Sequence, residues 1–116
     1  MAVTNFKWWV NRTPGNVMIM KREDGASLTV APGQFEERDV WVPWVDNATD
    51  FAKKVMVIEM EQPARRYYVW QHGDNVCFST QEKFQSPAHG VPGLSGVSGE
   101  RKLFFHPDGR FEVTPA

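Results

Sequence analysis

Apolar and polar residues alternate along this chain in short runs that stop at Gly, Pro, Asn or Asp, and no stretch carries the longer period of an amphipathic helix. The runs read as strands at Asn5–Arg12, Val17–Arg22, Ser27–Val30, Asp39–Val45, Lys54–Met60, Arg66–Gln71, Val76–Thr80, Lys102–His106 and Arg110–Val113. Between them stand Pro14-Gly15-Asn16, Asp24-Gly25, Pro32-Gly33, Gly73-Asp74 and Pro107-Asp108-Gly109. In such turns Gly supplies positive φ and Pro presets the bend. The pattern predicts an all-β, single-domain antiparallel β-sandwich, or barrel-like sandwich, of about nine short strands.

Two connections are sharp enough to fix a register. A two-residue primed turn at Gly73-Asp74 would pair His72 with Asn75, Gln71 with Val76 and Trp70 with Cys77. At Pro107-Asp108-Gly109 a three-residue loop, with Gly109 in the left-handed position, would fold Leu103–His106 back on Arg110–Val113. The only helical candidate is Asn47–Lys54, a single turn capped by Asn47 or Thr49. Residues Gln85–Glu100 are rich in Gly, Pro and Ser and have no period, so this segment is expected to be a long mobile loop. All 116 residues are read as one domain, since neither a repeat nor a composition shift divides them.

Large rings complicate the alternation. Five Trp, eight Phe and two Tyr make 13% of the chain, and such large flat side chains suit both a pleated β core and a binding surface. Period-two geometry sets Phe6, Trp8 and Val10 on one face of the first strand and Lys7, Trp9 and Asn11 on the other. Trp41 and Trp44 fall on opposite phases of a strand that Pro43 marks as an edge or an end, and Tyr68 and Trp70 oppose Tyr67 and Val69. At least one of Trp9, Trp41 and Trp44 is therefore expected to face solvent. A ring flanked by Asn, Asp or Arg suits a sugar, whose C–H face stacks while its hydroxyls find polar partners.

Thirteen Lys plus Arg against fourteen Asp plus Glu leave a net charge of −1, too little positive field to favour nucleic acid as a partner. No apolar run approaches the roughly twenty residues that span a bilayer, so no transmembrane insertion is expected. A single cysteine and the lack of a secretory leader at Met1 suggest a cytoplasmic protein, with secretion left open should a signal have been removed. His72, His89 and His106 have no metal-ligand spacing, and neither a phosphate-cradling Gly loop nor a Gly-x-Ser-x-Gly elbow occurs, so no cofactor or metal is expected. The one nucleophile-base pairing is Cys77 with His72, which the inferred hairpin puts on a common face, although Cys in Val-Cys-Phe more often fills a core.

These readings converge on a non-enzymatic binding module with an aromatic surface, foremost a lectin-like, carbohydrate-binding one. The candidate ligand-binding residues are Trp9, Trp41, Trp44, Tyr68, Trp70, Asn11, Asp46 and Asn47. An alternative is an interaction protein whose Trp-rich face meets a second copy, as a homo-oligomer, or a membrane. The third reading is a small thiol hydrolase built on Cys77 and His72.

Overall fold

A computed structural model describes residues 4–84, 89–91 and 99–115. In chain order the elements are β1 (Thr4–Asn11), β2 (Val17–Lys21), β3 (Ser27–Val30), β4 (Phe35–Trp41), α1 (Ala48–Lys54), β5 (Met56–Met60), β6 (Arg65–His72), β7 (Asn75–Ser79), β8 (His89–Gly90), β9 (Gly99–Phe105) and β10 (Phe111–Pro115). They form two sheets, one ordered β10-β9-β1-β4 and one ordered β3-β2-β5-β6-β7-β8. The chain is thus an all-β sandwich. Among these strands every pairing is antiparallel except β1 with β9, which run parallel.

Both hairpin turns adopt the geometry that their residues ask for. His72 faces Asn75, Gln71 faces Val76 and Trp70 faces Cys77, with Gly73 at φ 61°. At the other hairpin, Phe105 pairs with Phe111, His106 N donates to Arg110 O at 2.8 Å, and Gly109 sits at φ 92°. Helix α1 starts where expected, with Asn47 Oδ1 accepting from Asp50 N at 2.8 Å.

The inner faces of the two sheets bury Phe6, Trp9, Ile19, Ile58, Leu103 and Phe105, among others. Strict alternation in β1 would have separated Phe6 from Trp9. Instead the register of β1 against both β4 and β9 shifts between Phe6 and Trp8, and this bulge at Lys7 reverses the phase. Phe6 and Trp9 consequently meet edge to face inside, at 5.4 Å and 85°, while Trp8 turns outward.

A second apolar cluster lies on the opposite side of the larger sheet. There α1 and the segment before it cover Tyr68, Trp70 and Cys77, with Val45, Phe51, Val55 and Val57. Phe51 is the wedge, 5.3 Å from Trp70 and 6.0 Å from Tyr68. At β6 and β7 this sheet therefore carries rings on both faces because both faces are covered there.

Two expected boundaries move. The strand placed at Asp39–Val45 lies at Phe35–Trp41, four residues earlier. Beyond Trp41 the chain leaves β1 and crosses to β6, where Pro43 O accepts from Gln71 N and Val45 N donates to Gln71 O. Part of the loop placed at Gln85–Glu100 is paired instead: β8 joins Cys77 and Phe78, Val91 N donates to Val76 O with Val91 buried, and β9 starts at Gly99. The mobility expected for Gln85–Glu100 falls mostly on residues 85–88 and 92–98, which lie outside the described residues.

Candidate functional site

The eight residues singled out from the sequence do not come together. Trp9 is fully buried, its Nε1 donating to Arg38 O at 3.0 Å. Tyr68 and Trp70 are 4% and 0% exposed beneath α1, so neither can stack on a ligand arriving from solvent. Asn11 is also enclosed: its Nδ2 donates to Gly15 O and Val30 O, and its Oδ1 accepts from Thr13 N and Thr13 Oγ1. That is a turn-locking role, and these four leave the binding surface as a correction to the sequence reading.

Trp44 is half-buried in the crossing segment and bridged to Gln71. Asp46 is exposed with Oδ1 3.9 Å from His72 Nδ1, and Asn47 is occupied in capping α1. Only Trp41, 50% exposed on the edge strand β4, stands open as a large ring among the eight.

The thiol pair has the wrong electrostatics for a nucleophile. Burial pushes the Cys77 thiol above its ordinary value, and Sγ lies 3.6 Å from Asn75 O. His72 Nδ1 is 3.0 Å from Val45 O. A reactive thiolate needs the opposite, a depressed pKa beside an imidazolium. Among the described residues no group of three or more His, Cys, Asp or Glu side chains could hold a metal ion, and no helix is long and apolar enough to cross a membrane.

What the structure does gather is the outer face of the four-stranded sheet. Residues directly opposite one another on neighbouring strands share a face. Trp8, turned out by the bulge, therefore stands between Glu37 and Lys102, and Val10 between Phe35 and Phe104. Trp41 lies opposite Asn5, on the side away from buried Val40. Trp8 and Phe35 touch at 5.9 Å between centroids, and Phe104 stacks on His106 at 6.3 Å and 14°. His106 Nε2 in turn sits 2.7 Å from Glu112 Oε1.

Trp8, Val10, Arg12, Phe35, Lys102 and Phe104 line an open groove of about 310 Å³. No described element packs across it: Phe35 is 63% exposed. The sequence signal for Phe104 was present, since Lys102, Phe104 and His106 alternate with buried Leu103 and Phe105. Trp8 was hidden by the bulge and Phe35 by its polar neighbours Gln34, Glu36 and Glu37.

A second groove, about 260 Å³, opens over Met18, Met20, Leu28 and Val57 on the larger sheet. Its lining contains neither a flat ring nor a cation, so it offers mainly flexible apolar contact beside Ser27, Thr29 and Glu59.

Set against protein-family models, curated proteins and solved structures, the chain matches none of them. The class that fold and surface define is a two-sheet β-sandwich with an aromatic sheet face that no described element covers.

Proposed function

We propose that this chain is a binding module that takes an oligosaccharide on the outer face of its four-stranded sheet. The observation that carries this reading is the set of rings on that face: half-buried Trp8 against exposed Phe35, with Trp41 half-exposed on the same face and polar side chains interleaved. Leaving Phe35 and Trp41 in water forgoes burial worth roughly 2 kcal/mol for each ring, a cost that ligand stacking offsets. A pleated sheet spaces its outward residues regularly, which matches the repeat of an extended chain of sugar rings better than it matches a compact small molecule.

The test is an oligosaccharide array followed by calorimetry. The reading expects binding to at least one class of oligosaccharide, weakened about tenfold or more by Trp8→Ala, with the fold retained. Failure of every saccharide to bind overturns it.

A second reading, association of two copies through this face, is favoured by the position of Phe35 and Trp41 on an edge strand. Glu36, Glu37, Arg38 and Asp39 on that strand oppose direct edge-to-edge pairing, so such a dimer would have to stack face to face. Light scattering that finds a dimer, split by Phe35→Ser, would support it over the saccharide reading.

A further inference from the structure

We infer that the saccharide taken by this face is acidic, its carboxylate or sulfate groups held by Arg12 and Lys102; the inference rests on the reading that the face binds saccharide. Both side chains line the groove, and both converge on one ring: Arg12 Cζ is 5.1 Å from the Phe104 centroid and Lys102 Nζ 5.8 Å. A cation held over an aromatic ring is pre-placed, so less freedom is lost when an anion arrives.

No described carboxylate neutralises their charge. Among the described residues, Lys7 pairs with Glu100, Lys21 with Glu23 and Asp24, Arg22 with Glu82, Arg66 with Glu59, and Arg110 with Asp108. Arg12 and Lys102 lie within ion-pair distance of no described carboxylate. Three acids flank the two cations on this face by register, and none forms a described ion pair with either. Glu100, two residues before Lys102, pairs with Lys7; Glu112 has its Oε1 2.7 Å from His106 Nε2; and Glu37 lies beyond Trp8 from Lys102.

In a chain of net charge −1, two cations with no described acidic partner beside the Trp8-Phe35 pair make a local site for a ligand that is flat on one side and anionic at intervals. The guanidinium fork of Arg12 matches a carboxylate or sulfate bidentately, while a neutral sugar offers it hydroxyls alone.

Calorimetric titrations with four probes test this: hexagalacturonate, the same oligomer fully methyl-esterified, a sulfated chondroitin hexasaccharide and neutral cellohexaose. The expected result is that one or both acidic probes bind about tenfold or more tightly than the esterified and neutral ones. Which acidic probe is preferred distinguishes carboxylate from sulfate. In the variant carrying Arg12→Gln and Lys102→Gln that preference should vanish while the melting temperature and any neutral binding stay unchanged. A control with Lys53→Gln and Lys54→Gln, at the end of α1 away from this face, should keep the preference.

Equal binding of acidic and neutral probes overturns the acidic inference and leaves the saccharide reading standing. A preference that survives Arg12→Gln with Lys102→Gln, or that the α1 control removes, also overturns it. If no probe of either kind binds, and the array is blank as well, both readings fail together.

Discussion

Replacing Asn11 separates a structural role from a ligand-contacting one. The side chain is fully buried and joins three points of backbone: the turn after β1, through Thr13 N and Gly15 O, and the end of β3, through Val30 O. Asn11→Ala strands the Thr13 N–H most severely, because Thr13 Oγ1 already lies 2.9 Å from Gly15 O and can satisfy that carbonyl. One buried donor without a partner costs about 1–3 kcal/mol. The lost bond to Val30 O and a small cavity raise the expected loss to about 3 kcal/mol, a large part of the roughly 5–15 kcal/mol that stabilises a domain.

Urea unfolding followed by Trp fluorescence reads this directly. With a slope near 1.5 kcal/mol per molar, the midpoint should fall by about 2 M. Asn11→Asp should be worse at neutral pH, since it aims an ionised oxygen at the Gly15 and Val30 carbonyls. Its folded-state pKa would be raised above the ordinary value of about 3.9, so the excess loss shrinks as pH falls toward that value and grows as pH rises. A midpoint shift for Asn11→Ala below about 0.3 M, together with weakened saccharide binding, would refute the structural assignment.

Gly109→Ala should destabilise by about 2 kcal/mol in the same assay. The residue has φ 92°, and an added Cβ would meet Pro63 Cγ at 2.9 Å. An unchanged midpoint would show that this hairpin yields easily. Alkali should also weaken the fold. Burial raises the Cys77 thiol above 9.0, and burial likewise raises the Tyr67 phenol above 10.0, whose hydroxyl donates to Gly109 O at 2.7 Å. Groups raised in the folded state contribute stability that is complete below their unfolded values and is lost as pH rises through the folded ones. Stability should therefore hold level from neutrality to about pH 8.5 and decline above it, with Cys77→Ala and Tyr67→Phe each flattening the decline. A flat profile to pH 11 in the unmodified chain would contradict this account.

Local features were the most legible in the sequence. The Gly73-Asp74 turn sets its own register through positive φ, and Pro107 to Gly109 does the same, so both hairpins followed from a handful of residues. Asn47 marked the start of α1 because a capping side chain acts within one turn. Long-range choices were harder. The bulge at Lys7, which decides whether Trp8 or Trp9 enters the core, arises from pairing with β4 and β9, about 30 and 95 residues away.

Phe35–Arg38 reads as loop because an edge strand with both faces wet needs no alternation. Tyr68 and Trp70 looked like surface rings because the cover that buries them, Phe51 on α1, belongs to a separate element. Trp41 was expected as one of three candidates and is exposed, but its companions on that face, Trp8, Phe35 and Phe104, depended on the pairing of three strands.

The outer face of the four-stranded sheet is tested most directly by amide and indole NMR spectra of isotope-labelled protein, titrated in turn with cellohexaose and hexagalacturonate. Saccharide binding on that face should move the indole signals of Trp8 and Trp41 and the amides of β1, β4 and β9, while the buried indoles of Trp9 and Trp70 stay in place. Signals that move instead around Met18, Met20 and Leu28, or that do not move with either oligosaccharide, would contradict the assignment of this face as the binding surface.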